Sequence, residues 1–496
     1  MALDAYENLR DRYERISALG DARTVLVWDQ QTKMPEGGTP ARSKQLSTLS
    51  SIRHEQLTDP ELGELLDELD GADLDPEREA VVRAIRYDHE RAAAVPSELV
   101  EKLTRAGSDA QETWQQAKAD DDFGQFAPTL EELRELRIER ARQIDPEKPP
   151  YEVLYEDGEP HIPFSTVERV FDTLRSELSD LLAEIRESEV ELADPFEGEF
   201  DTKTQAKLSE DVLDMLGYEW THGRLDPSPH PITLGNPYDC RVTTRYDESN
   251  PLGALTSTVH EFGHATYQLG LPREHYGSPL AEAPTSRGVS ESQSRFWENH
   301  VARTEPFCEL LIEPLEDRFP RLEGTNSREV YEAINRVYTD NVIRTQSDEL
   351  TYHFHIMFRS EIERAYVGGE IDVEEIPQVW NEKIDEYLGV TPDTESEGPL
   401  QDIHWTLWFG GFEGYTLGSV LAAQFDAALR DDIDDVDGKI RRGEFEPLRE
   451  WLTENVHSHG KRYTADELVE VATGEPLTAE YFVEYAREKF SELYGL

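Results

Sequence analysis

The chain has 496 residues, with 105 Asp and Glu against 49 Lys and Arg and a net charge of −56. That length suffices for a large core and for roughly two to four average domains, although one domain can be larger. A field of that sign repels nucleic acid and anionic membrane, so neither is expected as a partner. Only 11 of the basic residues are lysine. Acid spread over solvated faces with so little lysine fits a protein that stays soluble in concentrated salt, where screening over about 3 Å at 1 M removes most self-repulsion. A halophilic source is therefore expected.

The N-terminal stretch MALDAYENLRDRYERIS has no apolar h-region, and no run of about 18 apolar residues follows, so the expectation is a cytoplasmic protein that spans no membrane. Tyr6, Leu9, Tyr13 and Ile16 recur at spacings of three and four and predict a first helix. FSTVERVFDTLRSELSDLLAEI predicts another, with a capping box from Ser165 to Glu168 and Phe171, Leu174, Leu178, Leu181 and Ile185 on one face. LDPSPHPITLGNPYD, from Leu225 to Asp239, is too rich in Pro and Gly for a long helix. CRVTTRYD after it is β-branched and reads as a short strand, whose free edge would suit an extended peptide. TADELVEV, late in the chain, offers a capping box from Thr464 to Glu467. The two cysteines, Cys240 and Cys308, build neither a disulfide framework nor a cysteine metal site.

The stretch TSTVHEFGHATYQLG, Thr256 to Gly270, is different in kind. Leu252, Leu255, Val259 and Phe262 make one helix face apolar, and Gly270 suits a C-cap. His260 and His264 lie one turn apart, so both imidazoles can address one ion, and Zn²⁺ is the ion that suits them. Glu261 is rotated from the histidines yet reaches a water on that ion, as a general base must. Chance supplies His-Glu-x-x-His about once in twenty chains of this composition, so a third ligand has to be found. Tyr267 and Gly270 stand where a metzincin needs Gly and His, which excludes that class. Glu274 follows too closely after a turn, Glu282 sits in a Pro/Gly-bounded loop, and Glu291 lies in GVSESQSRFWENHVAR. The last reads as a helix start with Ser290 and Gln293 able to form a capping box. A helix holds a ligand more rigidly than a loop, which favours Glu291; its bland alternative is an acid in a first helical turn.

Four further motifs stand in order with HEFGH: DCRVT at Asp239 to Thr243, SESQSR with Glu291, IRTQSD at Ile343 to Asp348, and GPLQDIHW at Gly398 to Trp405. Together with VLVWDQQTKMPEGGTPARSKQ near the start and GEPLTAEYFVEYAREKFSELYGL at the close, they resemble the thermostable carboxypeptidase Taq family, peptidase family M32, over essentially the whole chain. The departures are Ser347 in place of alanine and the segment FGGFEGYTLG, which lacks the family's first tyrosine and its proline.

The resemblance implies a mainly α fold: a large helical gluzincin-type metallopeptidase with a deep groove and a small β-sheet beside the metal helix. One domain over residues 1–496 is expected, with the N-terminal helices to about residue 120 as a groove-covering lid. It also implies a homodimer that removes C-terminal residues from peptides with a free C-terminus, at broad specificity, using Zn²⁺ or alternatively Co²⁺. The metal ligands would be His260, His264 and Glu291, and Glu261 the base. Arg344 matches the position of a cation that clamps the substrate carboxylate; otherwise it pairs with Asp348 or Glu349. Tyr415 or His404 would donate to the oxyanion, His404 having a hydrogen bond to Asp402 as its alternative. Asp239, Arg241 and Thr243 would close the groove, unless Arg241 merely pairs with Asp239. Two other functions fit the same residues: an endo-acting metallo-oligopeptidase, and a non-catalytic peptide-binding protein.

Overall fold

Helix-forming residues dominate the sequence, and the computed structural model, which describes residues 2–496, is built almost entirely of helices. The first four are α1 (Ala2–Thr32), α2 (Thr39–Leu57), α3 (Pro60–Glu68) and α4 (Pro76–Ala94). Their apolar faces, including Tyr6, Leu9, Tyr13 and Ile16, close a small core of their own, to which Leu280 from later in the chain also belongs. This separate core ends at α4. The next helix, α5 (Ser97–Asp120), places Ala106, Ala110, Trp114 and Ala117 in the main core.

The main core continues through α6 (Phe123–Ile144), α7 (Pro150–Tyr155), α8 (Phe164–Glu187) and α9 (Thr202–Leu216). The expected face of α8 is buried from Phe171 to Ile185, but the Ser165 capping box does not form. Pro163 is the N-cap and the buried Phe164 already opens the helix, which carries Ser165 into the first turn.

Three short strands follow: β1 (Gly223–Pro227), β2 (Thr233–Asn236) and β3 (Asp239–Thr244). Their order is β1-β3-β2, with β1 parallel and β2 antiparallel to β3. Strand β3 is thus central and both its edges are taken. The edge expected to receive a peptide is not on β3.

Beyond the sheet come α10 (Pro251–Gly270), α11 (Arg287–Arg295), a π-helical turn (Phe296–Ala302), α12 (Glu305–Arg318), α13 (Ser327–Ile334), α14 (Tyr352–Gly368), α15 (Ile376–Leu388), the short α16 (His404–Leu407) and α17 (Glu413–Asp432). Four more helices lie between Val436 and Tyr494, and the third of them starts with the Thr464–Glu467 capping box read from the sequence. Cys240 and Cys308 are buried, free thiols. Among the described residues no helix is long and apolar enough to cross a membrane.

Candidate metal centre

Helix α10 starts where Asn250 accepts a hydrogen bond from the Gly253 amide, at 2.8 Å. Val259 and Phe262 bury one face. Gly270 is the last helical residue rather than a left-handed cap, and the space a side chain would need there is filled by His457. Helix α11 starts one turn earlier than the sequence suggests. Ser286, not Ser290, caps it by accepting from the Val289 amide, so Glu291 stands mid-helix.

Two glycines bring these helices together. A Cβ on Gly263 would lie 2.5 Å from Ser294 Cα, and one on Gly418 would overlap the Glu291 side chain. Helix α11 is therefore in backbone-close contact with α10 on one side and α17 on the other. That packing delivers Glu291 to the histidine pair. His260 Nε2 lies 3.6 Å from Glu291 Oε2, and His264 Nε2 lies 3.8 Å from Glu291 Oε1. One ligand atom from each of the three residues falls within 4.8 Å of the others. Tetrahedral ligands with bonds of about 2.1 Å stand about 3.4 Å apart, so two imidazoles and a carboxylate fit a divalent ion here. Their side chains keep 16–19% exposure, which leaves the centre open to water.

His260 Nδ1 meets Glu298 Oε2 at 2.9 Å. A carboxylate there fixes the proton on Nδ1 and leaves Nε2 to face the ion. Glu298 sits in the π-helical turn, a distortion found often at functional sites. Burial works to raise its carboxyl, but Arg295 at 2.9 Å and Arg303 at 3.0 Å outweigh it and hold Glu298 well below the usual carboxylate range. Sequence reading missed this residue; the only signal was an acid flanked by arginines within the apolar run RFWENHVAR.

Glu261 is buried, and burial pushes its carboxyl up to about 7. Thr233 on β2 donates to Glu261 Oε2 at 2.7 Å, which ties the sheet to the metal helix. His264 Nδ1 meets Ser290 Oγ at 3.3 Å.

Helix α17 crosses α11 at Gly418, and Tyr415 is one turn earlier on the same face. Its hydroxyl makes no hydrogen bond among the described residues, and its ring lies 6.2 Å from that of Tyr352. Arg344 is 5.8 Å from the Tyr415 ring and donates from Nη1 to the Tyr352 hydroxyl at 3.2 Å. Neither Asp348 nor Glu349 is its partner. Arg344 instead grips Asp402 through Nε at 2.9 Å and Nη2 at 2.6 Å. The Gln401 side chain accepts from the Arg344 amide at 2.8 Å, so IRTQSD and GPLQDIHW form one unit. His404 Nδ1 approaches Asp402 Oδ1 at 3.3 Å; burial, the largest influence, lowers its basicity despite that contact.

On β3, Arg241 binds Asp239 through Nε at 2.8 Å and Nη2 at 2.6 Å, and stacks 4.4 Å from the ring of Trp28 on α1. Thr243 is fully buried. Its hydroxyl takes the Ser228 hydroxyl at 2.7 Å and the Ile232 amide at 2.9 Å, so it fastens the β1–β2 connection.

Known proteins place the chain in a family. The family profile described as carboxypeptidase Taq (M32) metallopeptidase matches residues 8–490. Thermostable carboxypeptidase 1 of Thermus thermophilus is 36% identical over 511 residues, covering 99% of each chain. The protein of the same name from Pyrococcus furiosus is 36% identical over 485 residues, covering 97% of each. The M32 carboxypeptidase structure from Deinococcus radiodurans superposes with a TM-score of 0.95 at 35% identity, over 99% of this chain and 100% of the other. Family membership carries a divalent metal ion and peptide hydrolysis with it. With the profile spanning nearly the whole sequence and relatives 36% identical over their full length, the chain belongs to the carboxypeptidase Taq (M32) family of metallopeptidases.

Proposed function

We propose that the chain is a Zn²⁺-dependent carboxypeptidase of broad specificity, with Co²⁺ as an alternative ion, acting on peptides with a free C-terminus. The reading rests above all on the convergence of His260, His264 and Glu291 with Glu261 beside them. A divalent ion held by those three ligands supplies Lewis acidity toward water and the scissile carbonyl. Glu261 takes the proton from the attacking water and passes it to the leaving amine. Its burial and the Thr233 hydrogen bond suit a base poised near neutrality. Tyr415, with its uncommitted hydroxyl one turn from the Glu291 contact, donates to the developing oxyanion; His404 is the second donor candidate. Arg344 receives the substrate carboxylate. Asp402 holds it in orientation, and Nη1, now on Tyr352, is the donor that can be redirected. Asp239 and Arg241 close the groove against α1 through Trp28, and Thr243 positions them from below. The N-terminal helices act as the groove's cover within a single functional domain. The reading includes a cytoplasmic homodimer adapted to high salt.

A free-acid peptide ladder and its C-terminally amidated twin test this, each incubated in several molar salt with and without chelator and followed by mass spectrometry. Stepwise loss of C-terminal residues from the acid alone, abolished by chelator, is expected. Equal cutting of the amide would favour an endo-acting oligopeptidase. Full activity in Glu261→Gln would overturn the role of the base, and a silent enzyme that holds its metal would point to a peptide-binding protein.

A further inference from the structure

Arg287 opens α11, the helix that carries Glu291. Its guanidinium makes no hydrogen bond or ion pair with any described residue; only its backbone amide is bonded, to the Gly158 carbonyl at 3.0 Å. It acts on Glu159 through space alone, and the two oxygens of that carboxylate accept from the Ser286 hydroxyl and the Gly288 amide. By contrast, Arg344 is held by Asp402, Arg295 and Arg303 by Glu298, and Arg241 by Asp239.

Three glycines make room for this side chain. A Cβ on Gly158 would lie 2.9 Å from its Nε, one on Gly414 would lie 2.6 Å from its Cβ, and one on Gly411 would overlap Nη1. Gly411 and Gly414 belong to FGGFEGYTLG, the segment that departs from the family pattern. The guanidinium stacks on Trp408, 4.5 Å from the ring centre. Trp408 begins an aromatic wall: its ring is 4.9 Å from His404 and 5.0 Å from Phe412, and Phe412 is 6.1 Å from Tyr415. Arg344 stands on the same wall, 5.4 Å from the Phe412 ring and 5.8 Å from that of Tyr415. Arg287, His404, Trp408 and Tyr415 are all half-buried, so solvent reaches this wall. Two guanidinium groups thus share it, Arg344 turned to Asp402 and Arg287 to no anion.

A guanidinium stacked on an indole keeps its planar fork of donors free, and a carboxylate fills that fork bidentately. With 105 acidic residues in the chain, an arginine left without one beside the metal centre is open to an anion from outside. We infer that Arg287 is a specificity-determining residue that binds the side-chain carboxylate of an Asp or Glu among the last two residues of the substrate, while the terminal carboxylate goes to Arg344. The assignment rests on the carboxypeptidase reading given above.

Free-acid tripeptides that differ only in Glu against Gln, at the last or at the penultimate position, test this on the metal-loaded enzyme in several molar salt, where the general negative field is screened. At one of the two positions wild type should favour Glu over Gln by about tenfold or more in kcat/KM, as expected for a charged hydrogen bond. Arg287→Met should erase that preference, Arg287→Lys should restore part of it, and Arg287→Glu should reverse it in favour of Gln. Each ratio is taken within one protein, so a general loss of fold or activity does not imitate the result. No preference for Glu in wild type at either position overturns the inference, as does a preference that persists in Arg287→Met. Equal weakening of the Glu and Gln peptides in Arg287→Met also overturns it, since Arg287 would then serve the terminal carboxylate or the fold. The same ratios in Kd, from isothermal titration of metal-loaded Glu261→Gln with these peptides, need no turnover. A Glu preference in Kd that depends on Arg287, with no C-terminal hydrolysis by wild type, would defeat the carboxypeptidase reading and leave the carboxylate site standing.

Discussion

Glu298 Oε2 lies 2.9 Å from His260 Nδ1 and 2.9 Å from Arg295 Nη1, so one carboxylate both orients His260, a proposed metal ligand, and is itself pinned. Replacing Glu298 by Gln keeps the shape but removes the charge that sets the imidazole's proton. Metal affinity should fall by about 10- to 100-fold, the usual cost of losing such an outer partner. Competition with a chelator measures it, and activity should return at excess metal. Unchanged affinity would mean that helix packing alone orients His260.

Tyr415→Phe retains the ring contacts with Tyr352 and Phe412 and deletes only the hydroxyl. If that hydroxyl donates to the oxyanion, kcat should drop by about 10²- to 10³-fold with little change in KM. His404→Gln should cost less, because His404 already approaches Asp402. The reverse ranking in steady-state kinetics would pass the donor role to His404.

Gly263→Ala changes no ligand. Its new Cβ would lie 2.5 Å from Ser294 Cα, a backbone atom that cannot rotate away, so α10 and α11 must separate. We expect a loss of about 1–3 kcal/mol in stability and weaker metal binding, read by thermal melting and metal titration. A variant that melts and binds metal like wild type would show that Glu291 reaches the histidines without this close approach.

Glu159 gives a prediction in pH. It is 2% exposed and accepts from the Ser286 hydroxyl at 2.7 Å, at the start of the helix that carries Glu291. Burial raises its carboxyl from 4.5 to about 7. Between those values the folded chain binds a proton that the unfolded chain has released, so this group's contribution to stability falls as pH rises through that window and is level above it. Glu159→Gln removes that dependence. From pH 4 to pH 8 the variant should gain on wild type by up to about 3 kcal/mol, as followed by melting at several pH values. A constant offset between the two proteins would refute the assignment.

The readings that held concern residues within a few positions of one another. The spacing of His260 and His264, the apolar face of α8 and the Thr464–Glu467 box follow from helix geometry and need no partner from afar. Local rules erred where several serines or prolines competed. Ser286 took the cap of α11 from Ser290, and Pro163 with the buried Phe164 moved the start of α8 ahead of Ser165. Strand β3 was legible as a strand, but its neighbours on both sides were not, since pairing depends on where β1 and β2 return.

By itself the sequence determined the family and singled out His260, His264, Glu291 and Glu261 as the proposed donors and base, because residue type, helical period and ordered motifs are local properties. Tertiary structure alone decided which partner each charge takes. Arg344 passes over the nearby Asp348 and Glu349 for Asp402, 58 residues away, and Glu298 reaches back 38 residues to His260. Folding sets such pairs because a buried charge must find its counter-ion among whatever side chains packing brings within about 3 Å, however distant they are along the chain.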